Sequence, residues 1–205
     1  MTVEGAGIFS GSVSATFEVK EASTRPLSAA TVKPAKSSYA YTGKVIEPKV
    51  TVTAGGKTLK EGADYTVSYP KSAKNVGSYK LAVRGKGEWT GTATASYKVV
   101  PKPSALKSVK AVKASTGALQ VKWTKVATQV DGYEMWVSTS KKFAKSKTVR
   151  TTFSVKKKYG KKCYFKGGGL KKGKKYYVKV RTYKKAGGQK YCSAWSKVKS
   201  AKTKK

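Results

Sequence analysis

Apolar and polar residues alternate along most of this chain in short runs. Examples are Val50-Thr51-Val52, Tyr65-Thr66-Val67-Ser68-Tyr69, Tyr79-Lys80-Leu81-Ala82-Val83 and Leu119-Gln120-Val121-Lys122-Trp123. Successive side chains on a strand point to opposite faces, so a period of two predicts half-buried β-strands. Tyr176 through Tyr183, with Val178 and Val180 inside, forms another such run. Nowhere does the 3.6-residue stripe of an amphipathic helix emerge. Gly, Pro, Ser and Asn separate the runs at the spacing of short antiparallel strands. The pattern predicts an all-β chain built as tandem β-sandwiches.

The alternation is itself repeated. VEGAGIFSGSVSATFEV at 3–19 returns as VRGKGEWTGTATASYKV at 83–99, so that Val3, Gly5, Gly7, Gly11, Ala15 and Val19 recur as Val83, Gly85, Gly87, Gly91, Ala95 and Val99. Phe9 becomes Trp89 and Phe17 becomes Tyr97. The offset matches one small β-domain, and such repetition marks a modular chain. Residues 1–21 are expected to be the C-terminal remnant of a preceding domain, followed by a complete domain at 22–101 and a second at 102–205. Pro101-Lys102-Pro103-Ser104 separates the two, because proline fixes φ and withholds a ladder donor. A lone strand pair is marginal in water, and Ile8 to Val19 would leave an apolar edge. The remnant is therefore expected to pair with a second molecule as a dimer, or to pack against the 22–101 domain.

Charge changes the picture most in the second half. Lys plus Arg number 45 against 9 Asp plus Glu, a formal net charge of +36. Residues 1–102 hold 15 basic and 7 acidic groups; residues 103–205 hold 30 and 2. All but Arg25, Arg84, Arg150 and Arg181 are lysines. Lysine is a hydrated point charge that draws polyanions generally, whereas reading bases favours the arginine fork. The excess is either a solvated, solubilising surface or a binding surface for an anionic cell-wall polymer, a glycan or a lipid headgroup; specific nucleic-acid recognition is not expected. Histidine is absent, which removes the usual base near neutral pH and the commonest metal ligand. The nine acids are scattered, and Gly167-Gly168-Gly169 lacks the Lys-Ser ending of a phosphate loop. No catalytic residue, cofactor or metal is assigned, and no apolar run is long enough for a transmembrane helix.

Two resemblances refine the fold. Tyr41-Thr42-Gly43-Lys44 with Ile46 and Pro48, Gly62-Ala63-Asp64-Tyr65-Thr66-Val67-Ser68-Tyr69, Asn75-Val76-Gly77-Ser78-Tyr79 and Gly85-Lys86-Gly87-Glu88-Trp89-Thr90-Gly91-Thr92 follow one another in order. Together they resemble the immunoglobulin-like repeats of large surface proteins in Gram-positive bacteria. Asp64 is expected in an Asx turn, Gly85 and Gly87 at a bulge or positive-φ turn, and Trp89 over one end of the sandwich. Asn75 and Asp64 are the side chains that an isopeptide bond to lysine would use. The second domain resembles a fibronectin type III domain, with Trp123 as core tryptophan and Gly132-Tyr133-Glu134-Met135-Trp136-Val137-Ser138 as third strand. Tyr133, Met135 and Val137 would face inward, and Leu170 precedes Tyr176 as it does in the tyrosine corner, whose hydroxyl binds backbone upstream.

That resemblance puts Trp136, Tyr177, Lys179, Arg181, Tyr183 and Trp195, with Glu134, on one outward face. The face is either a self-contained cation–aromatic stack or an aromatic platform for a glycan. Ser193-Ala194-Trp195-Ser196 resembles the tryptophan-serine motif of cytokine-receptor domains. Cys163, expected in the fifth strand, and Cys192 either form a disulfide, if both face the core, or remain two thiols. The expected function is a non-catalytic stalk and binding region, extracellular or on the surface of a Gram-positive bacterium, joined to neighbouring domains of its parent chain. The alternative is a set of accessory domains of a larger secreted hydrolase.

Overall fold

A computed structural model describes residues 2–4, 12–14 and 24–205. Thr2–Glu4 pairs antiparallel with Ser12–Ser14 in the register Thr2↔Ser14, Val3↔Val13, Glu4↔Ser12. Eighty residues on, Ala82↔Thr94, Val83↔Ala93 and Arg84↔Thr92 pair identically. The repetition is therefore one of backbone pairing as well as of residues. The rest of the remnant, including Ile8, lies outside the described residues.

From 24 to 101 two sheets enclose a core. One carries Ser38–Ala40, Thr92–Val100, Gly77–Gly85 and Tyr65–Ser68 in that order; the other carries Thr31–Pro34, Val50–Ala54 and Lys57–Thr58. Inward positions of the alternating runs, among them Val52, Tyr65, Leu81, Val83, Tyr97 and Val99, make up the core together with Leu27. Trp89, expected over one end, is part of this core at 7% exposure, with the Arg25 guanidinium 5.7 Å from its ring. Gly85 is required by close approach: a Cβ there would lie 2.4 Å from the Trp89 carbonyl oxygen. Residues 41–49 form no strand and are tied down by phenols. Tyr97 donates to the Ile46 carbonyl at 2.9 Å and Tyr69 to that of Pro48 at 2.7 Å. Burial first, then the Glu61 and Glu47 carboxylates, push the Tyr69 phenol up to about 12. Asp64 turns back rather than forward, accepting the amide of Lys60 at 2.7 Å.

The second sandwich sets a sheet of Leu106–Ala111, Leu119–Trp123 and Tyr164–Gly167 against one of Thr148–Ser154, Gly132–Ser138, Lys175–Ala186 and Gln189–Cys192. Lys199–Lys202 joins the larger sheet beside the first part of Lys175–Ala186. Trp123 lies at the centre, 5.4 Å from Phe153 and 5.5 Å from Tyr133 between ring centroids. The Tyr133 hydroxyl accepts the Val126 amide at 2.9 Å and the Cys163 thiol at 3.5 Å. Tyr176 accepts the Lys171 amide at 2.9 Å, five residues upstream, and Leu170 packs against the same core. Two helical turns, Lys145–Lys147 and Lys158–Lys162, interrupt the strand pattern of this sandwich. Lys158–Lys162 is a single helical turn, closed by Cys163 in the left-handed region at φ +50°. Gly160 inside it passes so near Ser154 that a Cβ would sit 2.0 Å from the Ser154 carbonyl oxygen.

Candidate functional site

The outward face of the five-stranded sheet holds most of the residues singled out from the sequence. Period two places Glu134 and Trp136 outward on one strand and Lys179, Arg181 and Tyr183 outward on the next, with Glu134 opposite Arg181 and Trp136 opposite Lys179. Arg150 faces Trp136 from the other neighbour. Trp195 enters from the irregular segment between the last two strands. Its ring lies 4.7 Å from that of Trp136, and cations alternate with the indoles. The Arg150 guanidinium is 4.3 Å and the Lys179 ammonium 4.4 Å from Trp136, while Lys179 is 4.6 Å and Arg181 4.4 Å from Trp195. Phe143, which no sequence signal marked, closes a third side of Lys179 at 4.2 Å. Burial, then the charges of Arg181 and Arg150, lower the Lys179 pKa.

Glu134 ends the ladder. It takes both Arg181, at 2.6 Å, and Lys190. Burial alone would raise its pKa; the hydrogen bonds from Lys190 and Arg181 outweigh burial and hold the carboxyl below its ordinary value. Lys190 also stands 4.4 Å from the Tyr183 ring. Tyr177 is not brought into the stack: Lys175 occupies its ring at 5.5 Å, and it is flanked by Ser138 and Ser200. Both indoles are flanked by two of the protein's own cations. The arrangement suits a self-contained cation–aromatic ladder worth roughly 0.5–1 kcal/mol per exposed contact.

The remaining candidates separate. Cys163 is buried among core residues, whereas Cys192 pairs with Tyr183 and has Arg181, Glu134 and Lys190 around it on the outward face. The sheet lies between the two thiols, and both cysteines are free rather than joined as a disulfide. Burial raises the Cys192 thiol. Asn75 accepts from Gln129 of the second sandwich at 3.2 Å, and Asp64 holds the Lys60 amide, so each acceptor named for an isopeptide bond engages a different partner. Among the described residues no group of three or more His, Cys, Asp or Glu side chains could hold a metal ion, and no helix is long and apolar enough to cross a membrane.

The comparisons bear on fold. Solution structures of the fn3 domain of human contactin 1 share 19% identity at TM-score 0.40, covering 52% of this chain and 81% of that one. A crystal structure of the chicken CNTN1 FN1-FN3 domains shares 18% at TM-score 0.43, covering 86% and 55% respectively. No curated protein matches the chain. Residues 101–199, just under half of the chain, match the family model of the fibronectin type III domain.

Proposed function

We propose that this chain is a stalk and attachment region from the surface of a Gram-positive bacterium, in which tandem sandwiches carry a basic domain that holds an anionic polymer. The observation that carries the reading is the disposition of charge in residues 103–205. The two acids there, Asp131 and Glu134, are already paired with Lys184, Arg181 and Lys190. The other twenty-seven of the thirty basic residues have no acidic partner among the described residues. A net charge of this size destabilises a compact state by self-repulsion, so a polyanion that relieves it gains affinity from counterion release. The resemblance of residues 22–101 to bacterial immunoglobulin-like repeats supports the surface setting, and the contacts that join the two sandwiches suit a spacer. Titrating the chain with inorganic polyphosphate should give binding that weakens steeply as salt rises. Absence of binding at low salt, or an affinity indifferent to salt, would remove the reading.

A further inference from the structure

The two faces of the second sandwich use their charge differently. On the five-stranded sheet, rings and carboxylates take up Arg150, Lys179, Arg181 and Lys190. On the three-stranded sheet, Lys110, Lys122 and Lys166 are exposed at outward positions, alternating with Val109, Val121 and Phe165, which face the core. Gln120 stands between Lys110 and Lys166, and Lys122 between Ser108 and Tyr164. Strand spacing puts the backbones of Lys110 and Lys166 about 10 Å apart, with Lys122 about 7 Å away along the middle strand. Lys107 and Lys162 extend the patch, lining a shallow concavity with Gln120, Lys122 and Tyr164. Its floor is set in advance, because the Gln120 amide donates to the Tyr164 hydroxyl at 3.0 Å. No lysine of this patch has an acidic partner among the described residues.

We propose that this face binds a linear polymer of phosphate groups, a polyphosphate or a phosphodiester chain, with Lys110, Lys122 and Lys166 as its main contacts. The inference rests on the anionic-polymer reading above and gives it a place. Three lysines whose backbones lie about 8–10 Å apart suit charges repeated along a chain better than a single ion. Lysine ammoniums bind phosphoryl oxygens as point charges, without the fixed geometry of an arginine fork, which suits a flexible chain of phosphates. Tyr164 is the face's one aromatic ring, with the Lys122 ammonium 5.9 Å from it, so bases would find no run of rings on which successive bases could stack.

The test uses the whole chain with three probes of matched charge: inorganic polyphosphate, poly(glycerol phosphate) and a single-stranded RNA. A Lys110→Gln/Lys122→Gln/Lys166→Gln variant is compared with a Lys141→Gln/Lys142→Gln/Lys145→Gln variant of equal net charge. The first should lose at least about tenfold in affinity for the phosphate polymers, and the slope of log K against log salt should shrink by about two to three. The second should lose less than about threefold. Equal losses in both would overturn the assignment to this face while leaving polymer binding intact; an unaltered chain that binds no polymer would instead sink the underlying reading. Tighter binding of RNA than of either phosphate polymer would overturn the ligand class. Lysine acetylation of the unaltered chain needs no substitution: polyphosphate should protect Lys110, Lys122 and Lys166 above the other lysines, and uniform protection counts against the proposal.

Discussion

Tyr133 uses one hydroxyl to accept from two neighbours on different segments. It accepts the Val126 amide, in the loop leading to its own strand, and the Cys163 thiol that closes the helical turn. Burial, then the Cys163 contact, raise its phenol above the ordinary value. Tyr133→Phe keeps the ring and orphans a buried N–H, so unfolding free energy should fall by about 1–3 kcal/mol in urea titrations. Glu134 gives the pH counterpart. Its folded pKa is lowered from 4.5, so the stability it contributes is present above that value and lost as pH falls through the lowered one. Glu134→Gln should flatten the urea-midpoint profile below pH 4.5; a profile as steep as the parent's would show that the carboxylate contributes nothing. Arg181 was placed on the same face as Glu134, but neither Lys190 nor the Val126 amide was visible as a partner in the sequence. Alternation assigned Tyr133 inward and Glu134 outward, but the Val126 loop and the Lys190 side chain reach them through tertiary folding.

At the scale of the element, the segment after Cys192 shows where alternation stops informing. The fibronectin type III resemblance implies a single seventh strand running through Trp195-Ser196-Lys197-Val198. Instead two short strands, Gln189–Cys192 and Lys199–Lys202, flank a stretch whose ladder is completed by side chains. The Ser193 hydroxyl accepts the Thr182 amide at 3.1 Å and the Ser196 hydroxyl the Val180 amide at 3.0 Å. The Ser193 and Ser196 amides donate back to Thr182 and Val180 carbonyls. This geometry swings Trp195 onto the outward face between Lys179 and Arg181. A periodicity argument finds strands because burial alternates; it has no term for hydroxyls replacing backbone donors and acceptors. The aromatic–cation face was legible for a different reason: the fibronectin type III resemblance implies which strands are neighbours, and period two then sets which of their residues face outward. Ser193→Ala with Ser196→Ala should speed hydrogen exchange at the Thr182 and Val180 amides by tenfold or more, while exchange at Val121 changes little. Unchanged protection would mean that the serine hydroxyls do not hold the segment.

For the whole molecule, the spacer role proposed above needs a junction that keeps its direction. Val76 is 5% exposed although it belongs to neither sandwich core. Its amide donates to Gln129 Oε1 at 3.1 Å, the Gln129 Nε2 donates to Asn75, and Ser78 pairs with the Tyr191 hydroxyl at 3.0 Å. On the linker itself, the Thr182 hydroxyl donates to the Lys102 carbonyl at 2.7 Å. Gln129 does this from the left-handed region, φ +53°, where a residue with a Cβ sits at a cost of about 1 kcal/mol. That local cost sets the second sandwich's own stability against its attachment to the first, and one substitution separates the two. Gln129→Gly relieves the backbone and deletes both amide contacts. The second sandwich should therefore melt no lower than in the parent, and by relief of strain slightly higher. At the same time, NMR relaxation should report two domains tumbling more independently, and the scattering profile should broaden towards a range of separations. A variant that melts lower with unchanged tumbling would place the role of Gln129 inside its own sandwich and not at the junction. If the junction holds direction as these contacts require, the lysine face on the three-stranded sheet is presented at one fixed angle to the stalk, and Gln129→Gly should leave affinity for short polyphosphate unaltered.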